Sequence, residues 1–218
     1  MKKVYKLSVL AGALALTSSM AMADLTYQEG GHPYVSGAIG WGQILVPSTT
    51  DLVNQSPVPG SSASTDKGGF AYAVSGGYLY HINQFAFGGE VGYNGYNTSQ
   101  THLTIPGLGT INNKYDVSAI DFLAVGRFYM NPAFSVALKA GGLYTMQKID
   151  SNAFASVKTD RVLPALGGGV GFNITENMML TADALYGFGT VNPDFNSDYK
   201  PNQNQPVISA LAGLTYSF

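Results

Sequence analysis

From residue 34 to residue 218, apolar and polar residues alternate with a period of two in eight separate segments. This period is typical of β-strands whose two faces lie in different surroundings. The segments cover residues 34–43, 69–80, 85–96, 117–130, 134–146, 162–174, 178–190 and 207–218. The pattern therefore predicts an all-β fold built from eight strands.

Short and long connections alternate between these segments. The short ones centre on residues 81–84, 131–133 and 175–177, and the long polar ones span residues 44–68, 97–116, 147–161 and 191–206. Asn and Pro, which favour tight turns, occur in the short connections. This layout predicts an eight-stranded antiparallel up-and-down transmembrane β-barrel, with three short periplasmic turns at one rim and four long surface loops at the other.

Within each segment, parity separates a face of bulky apolar residues from a face of small or polar ones. In segment 69–80 the bulky set is Phe70, Tyr72, Val74, Tyr78 and Tyr80, and the other set is Ala71, Ala73, Ser75 and Gly77. Every charge in the strands falls on the less apolar face, namely Glu90, Asp121, Arg127, Lys139 and Asp183. We expect these five side chains to form a charge network inside the barrel.

In segment 117–130, the assignment of one face to lipid and the other to the lumen depends on fewer residues than in the other segments. Leu123 and Val125 share a face with Asp121 and Arg127, whereas Ile120, Phe122 and Phe128 lie on the opposite face. A shift of register by one residue would reverse the two faces. We assign the charged face to the lumen.

Charged residues make up only 11% of the chain, whereas water-soluble domains carry about 25%. Outward-facing aromatic residues cluster near both ends of the predicted strands, as in the interfacial girdles of membrane barrels. A soluble β-sandwich, the alternative fold, would direct its charges outward. After residue 23 no apolar run reaches the ~18 residues of a membrane helix, so the strands are expected to cross the bilayer.

The N-terminus has the pattern of a secretory signal peptide. Lys2, Lys3 and Lys6 precede an apolar run over residues 7–16, and the small-residue site Ala21-Met22-Ala23 follows. We predict cleavage between Ala23 and Asp24, which divides the chain into a signal peptide (1–23) and an outer-membrane barrel (24–218). The segment contains three of the eleven Lys and Arg and no acid, so the mature chain is acidic and nucleic acid is not an expected partner.

The C-terminal strand resembles the assembly signal of outer-membrane barrels, in which a glycine is followed by alternating aromatic residues that end the chain. Gly213, Tyr216 and Phe218 match that pattern, and Leu211 occupies its polar position. The resemblance implies recognition by the barrel assembly machinery. Over its mature length the chain resembles small eight-stranded outer-membrane barrels of the opacity-protein and OmpA transmembrane-domain type. This likeness implies a location in the bacterial outer membrane, contact with its lipid, and a role as adhesin, structural protein, surface antigen or porin-like channel.

No group of residues predicts an active site. His32 precedes the first strand, His81 lies in a short turn and His102 lies in a loop, so each is expected to be an ordinary surface histidine. The chain has no cysteine and no His cluster with metal-ligand spacing, which excludes disulfides and predicts neither metal nor cofactor. Asp194 and Asp198 are expected to be solvated loop acids, and Gly167-Gly168-Gly169 lacks the Lys-Ser or Lys-Thr of a phosphate-binding loop. We predict that the protein is not an enzyme.

The inward charges have two interpretations, a gate for conduction or a paired plug, and a narrow eight-stranded barrel favours the plug. Glu90, Lys139 and Asp183 each lie five residues beyond the start of an ascending strand, and we expect Arg127 to pair with Glu90. The favoured function is a structural or adhesin-like role, with a host or cell-surface ligand bound through the loops. The alternative is a narrow porin-like channel for small solutes. Apolar islands at residues 44–46 and 103–111 offer a contact surface or cover the barrel mouth.

Overall fold

A computed structural model describes residues 29–45, 62–65, 68–107, 109–151, 156–189 and 205–218. The predicted signal peptide, its cleavage site between Ala23 and Asp24, and the loop acids Asp194 and Asp198 lie outside the described residues. The strands are β1 (Gly30–Ile44), β2 (Ser62–Thr65), β3 (Gly69–Ile82), β4 (Phe85–Ile105), β5 (Gly109–Tyr129), β6 (Phe134–Ser151), β7 (Val157–Asn173), β8 (Met178–Gly187) and β9 (Val207–Ser217).

Eight of these strands form a closed antiparallel barrel. Neighbours follow the order β4, β3, β1, β9, β8, β7, β6 and β5, and pairing between β4 and β5 closes the circle. The remaining strand, the short β2, is not part of the closed barrel. It pairs with the part of β4 that extends beyond the end of β3. The predicted eight-stranded antiparallel barrel is thus confirmed. In the described ranges, no helix is long and apolar enough to cross a membrane.

The barrel has two rims, here called the turn side and the loop side. At the turn side, Asn83 adopts a positive φ of 53° between β3 and β4, a conformation that Asn tolerates better than most residues. Between β5 and β6, the Asn131 carboxamide oxygen accepts hydrogen bonds from the backbone amides of Ala133 (2.9 Å) and Phe134 (2.8 Å). These side chains make the compact turns that keep neighbouring strands in register.

The outward face of the barrel is an apolar belt. On β6 it runs from Phe134 to Tyr144, and these eleven residues of a tilted strand span about 25 Å, the height of the apolar band of outer-membrane barrels. Phe122 is 56% exposed whereas Leu123 is 4% exposed. The predicted facing of β5 is therefore confirmed.

The strands β4 to β7 run further towards the loop side than the sequence predicts. Residues 97–105, 109–116, 147–151 and 157–161, here called the extension, were expected to be loop but lie within paired strands. The register places Asp116 opposite Lys148 and Lys114 opposite Asp150. Opposite charges across two strands stabilise their pairing, so the polar hairpins continue as sheet beyond the belt.

Candidate functional site

Three of the five predicted lumen charges meet in one layer. The Lys139 ammonium donates to both carboxylate oxygens of Glu90, at 3.0 and 3.3 Å, and lies 3.4 Å from Asp183 Oδ1. The Tyr34 hydroxyl donates to Glu90 Oε2 at 2.8 Å. These four residues, here called the charged layer, come from β1, β4, β6 and β8. One cation between two carboxylates satisfies groups that would be costly to bury alone.

The sequence positions of these residues explain the layer. Glu90, Lys139 and Asp183 each lie five residues after the first residue of a strand that ascends from the turn side. Tyr34 is directly opposite Gly77 of β3, and Gly77 is opposite Glu90 of β4, so the Tyr34 ring extends across Gly77 to the Glu90 carboxylate. A Cβ atom at Gly77 would lie 2.5 Å from Tyr34 Cζ, so only glycine leaves room for the ring in this position.

Arg127 lies on the turn side of the charged layer and does not pair with Glu90. Its Nη1 donates to Ser135 Oγ at 3.0 Å and lies 2.8 Å from Met179 Sδ. The expected Arg127–Glu90 pair is wrong because of the strand register. Glu90 is opposite Leu123, whereas Arg127 is opposite Ala86. Four residues along a strand correspond to about 13 Å, and Lys139 fills the position beside Glu90.

The fifth charge, Asp121, lies on the loop side of the charged layer. The Asn94 side-chain amide donates a hydrogen bond to its Oδ2. A Cβ at Gly92 would lie 2.8 Å from both carboxylate oxygens, so this glycine provides the space that Asp121 occupies. The five predicted charges therefore all lie in the lumen, but at three different heights.

Around Asp121 and towards the loop side, buried apolar side chains fill much of the lumen, whereas the sequence predicts small and polar residues on the inward face. The polar residues Thr145 and Ser209 are buried in the same part of the barrel. The buried apolar side chains that meet there, here called the apolar plug, are Ile44, Ala71, Tyr96, Val117, Ala119, Leu123, Leu143, Leu163, Ala165 and Val207. They come from seven of the barrel strands, and Leu185 of β8 packs against them. Leu143 and Leu163 are directly opposite each other in the register. Their inward parity is visible in the sequence and is the signal that could have revealed the plug.

A second buried apolar group lies on the turn side of the charged layer, on β1, β3, β4 and β5. It consists of Tyr34, Leu79, Ala86, Val125 and Tyr129, all of them buried. The charged layer is therefore enclosed between two apolar groups. An eight-stranded barrel has an interior just wide enough for such side chains to fill.

Two of the three histidines lie together, which the sequence did not indicate. His32 belongs to β1 rather than to the segment before it, and its ring centroid lies 5.4 Å from that of His81 on β3. His102 lies in the extension, where its Nδ1 bonds to the Asn112 side-chain oxygen. The histidines are thus divided between a pair at the turn-side mouth and one residue at the opposite end.

The remaining predicted residues lie in the strands as follows. Tyr216 and Phe218 face outward with ring centroids 5.1 Å apart, and Gly213 lies beside the backbone of β1, where a Cβ would meet the Gly37 carbonyl. In the glycine run 167–169, a Cβ at Gly169 would meet Asp183 Oδ1. The run therefore leaves space for the charged layer.

Comparison with known proteins identifies the family. The family model of the outer membrane protein beta-barrel domain matches residues 9–218 of this sequence. No curated protein sequence matches the chain. The solved structure of the outer membrane protein OprG from Pseudomonas aeruginosa has 14% sequence identity and a TM-score of 0.50, over 89% of this chain and 98% of that chain.

Two further structures are similar at 18% identity and a TM-score of 0.48. For Ail, the attachment invasion locus protein of Yersinia pestis, the alignment covers 88% of this chain and all of that chain. For Neisserial surface protein A it covers 87% of this chain and all of that chain. Likeness at this level of identity concerns the fold alone. Because the family model spans nearly the whole sequence, the chain belongs to the outer membrane β-barrel domain family and resides in the bacterial outer membrane.

Proposed function

We propose that this barrel is a non-conducting and non-enzymatic scaffold that holds the extension at the cell surface as a structural or adhesive element. The observation that carries the proposal is the apolar plug. Leu143, Val207 and Ile44, from three different strands, are 1%, 1% and 2% exposed. The close-packed apolar plug offers little room and few hydrogen-bond partners to a solute or to a file of water molecules.

The charged layer supports the same interpretation. Lys139 is engaged by both Glu90 and Asp183, and a pair of this kind is stable only while all partners stay in place. Moving the Lys139 ammonium aside to open a path would leave the buried Glu90 carboxylate and the partly buried Asp183 carboxylate without a cation. We therefore interpret the layer as a fixed element of the barrel and not as a gate.

The extension provides the surface through which the protein is proposed to act. Along β4 the extension covers residues 97–105, about 27 Å of strand at 3.3 Å per residue. A groove of about 450 Å³ on the extension is lined in part by Asp116, Lys148, Lys158 and Asp160. Charges of both signs around one groove suit a polar partner such as a protein or a glycan at the surface of another cell.

The alternative function, a narrow channel, also has a specific observation in its favour. Three buried polar atoms of the lumen, Asp121 Oδ1, Arg127 Nε and Thr181 Oγ1, have no hydrogen-bond partner among the described residues. Buried polar groups normally have partners, and water can supply them. Conductance across a planar bilayer separates the two functions, because only a channel gives steady current steps.

A hairpin deletion tests the adhesive role without opening the barrel. Tyr96 and Val117 are directly paired, so residues 97–116 can be replaced by Asn-Gly, a two-residue connection that suits antiparallel neighbours. We expect cells that display the shortened protein to lose most of their adherence to host-cell monolayers, while the barrel keeps its heat-modifiable electrophoretic migration. Undiminished adherence of cells carrying the shortened, folded barrel would contradict the proposal.

A further inference from the structure

We propose that His32 and His81 form an open two-histidine coordination site for Cu²⁺ or Zn²⁺ at the turn-side mouth of the lumen. The two residues lie on the paired strands β1 and β3, where Gly30 is opposite His81 and His32 is opposite Leu79. They are diagonal neighbours on the face that also carries the buried Tyr34 and Leu79. Diagonal neighbours on one face of an antiparallel pair are within reach of long side chains.

The arrangement of the two rings fits a shared metal ion. Their centroids are 5.4 Å apart and their planes are inclined by 83°. Imidazole nitrogens bind Zn²⁺ at about 2.0–2.1 Å, which places each ring centroid about 3 Å from the ion. Two such rings on a tetrahedral ion have centroids about 5 Å apart, close to the separation found here.

The hydrogen bond of His32 prepares its other nitrogen for coordination. His32 Nδ1 lies 3.3 Å from the Phe218 backbone oxygen. That oxygen can only accept, so this hydrogen bond places a proton on Nδ1, and the tautomer that carries its single proton there has its lone pair on Nε2. Metal-binding histidines commonly donate their second ring nitrogen to a carbonyl or carboxylate in this way, which fixes the tautomer and the ring orientation.

The Nε2 atom of His32 is the second observation that points to a ligand. It is buried, and it has no hydrogen-bond partner among the described residues. A buried acceptor without a partner is unfavourable, and coordination of a metal ion by the Nε2 lone pair would remove that cost.

The chemistry of the donors selects the metal. Imidazole suits Cu²⁺ and Zn²⁺, whereas Mg²⁺ and Ca²⁺ prefer oxygen ligands. Within the described ranges, no group of three or more His, Cys, Asp or Glu is arranged to hold a metal. Solvent would therefore complete the coordination, so the site is expected to bind and release the ion reversibly.

The test is calorimetric titration of the protein, purified from outer membranes into detergent micelles, with CuCl₂, ZnCl₂ and MgCl₂. We expect one Cu²⁺ or Zn²⁺ per chain, with Cu²⁺ the tighter, and no binding of Mg²⁺. His32→Gln and His81→Gln should each weaken binding by at least about tenfold, as the loss of one of two ligands implies. His102→Gln, which changes the distant histidine, is the matched control and should bind like the wild type.

The result that overturns the site is binding of neither metal, or affinities in His32→Gln and His81→Gln equal to that of the wild type. Heat-modifiable migration reports whether each variant is folded. Electron paramagnetic resonance of Cu²⁺ bound to the wild type provides a measurement that needs no variant. Nitrogen hyperfine splitting from imidazole is expected, and a spectrum of oxygen ligands alone would reject the proposal.

Discussion

At the scale of single residues, the sequence predicts which side chains face the lumen but not which of them pair. All five strand charges lie inside the barrel, as their parity indicates. The pairing depends on the stagger between neighbouring strands, which places Glu90 opposite Leu123 and Arg127 opposite Ala86. Counting along each strand does not reveal that stagger, because barrel closure sets it for the whole sheet.

Removing the cation of the charged layer should destabilise the barrel. Lys139→Met leaves the buried Glu90 carboxylate and the partly buried Asp183 carboxylate without their shared cation, and the loss of a buried partner typically costs about 3–5 kcal/mol of unfolding free energy. Adding Glu90→Gln to Lys139→Met should recover part of the loss. Urea unfolding of the single and double variants in lipid vesicles measures the coupling. If the losses of unfolding free energy in Lys139→Met and in Glu90→Gln simply add in the double variant, the ion pair does not contribute to the stability of the barrel.

Gly77 and Gly76 offer a matched pair of substitutions for the Tyr34 position. An alanine at Gly77 would bring its Cβ to 2.5 Å from the Tyr34 ring, whereas at Gly76 the nearest atom, the Tyr34 carbonyl oxygen, is 3.7 Å away. We expect Gly77→Ala to lower the unfolding free energy by about 1–3 kcal/mol, since overpacking forces the ring away from Glu90. Gly76→Ala should be close to neutral in the same urea titration. Equal effects of the two substitutions would argue against the described position of Tyr34.

At the scale of elements, the eight strands follow from the period-two pattern because one face of each strand lies in lipid and the other in the lumen. The extension was not predicted because neither of its faces lies in lipid. Residues such as Lys114, Asp116, Lys148 and Asp150 give it a polar sequence that is indistinguishable from a loop until the cross-strand register is known. The apolar plug was missed for the opposite reason, because its inward residues reduce the contrast between the two faces.

The pairing in the extension should depend on pH and salt. The hydrogen bond from Lys148 lowers the pKa of Asp150 below its ordinary value of 3.8. A lowered pKa means that the stabilising contribution is complete above that value and is lost as the pH falls through the lowered one. Amide exchange, corrected for its intrinsic rate, should therefore lose protection around residues 114–116 and 148–150 below about pH 4 and in high salt. Amides within the belt serve as the control, and unaltered protection in the extension would contradict this account.

The C-terminal strand carries a prediction about assembly. Phe218 is 63% exposed at the turn-side edge of the belt, and its ring makes an edge-to-face contact with the ring of Tyr216. Deleting Phe218 removes an interfacial aromatic and the terminal residue of the proposed assembly signal, so less folded protein should reach the outer membrane. The fraction with heat-modifiable migration in membrane extracts measures this. Phe188→Ala, at the loop-side edge, is a control that removes an exposed aromatic without altering the proposed signal.

At the scale of the whole molecule, residence in the outer membrane requires export before assembly. We propose that residues 1–23 are removed and that the mature chain begins at Asp24, as the Ala-Met-Ala site predicts. Mass spectrometry of the protein extracted from outer membranes should show this N-terminus. A membrane-inserted chain that retains Met1 would contradict the proposed processing.

The central claim is that the apolar plug closes the lumen, and single-channel recording in planar bilayers tests it most directly. The account predicts no steady conductance for the wild type or for Leu138→Ala, which alters only the lipid-facing surface. The double variant Leu143→Ser with Leu163→Ser places hydroxyl groups in the middle of the plug and should produce current steps. Steady unit conductance of the wild type, unchanged in the double variant, would show that the lumen is an open path and that the alternative channel function is correct.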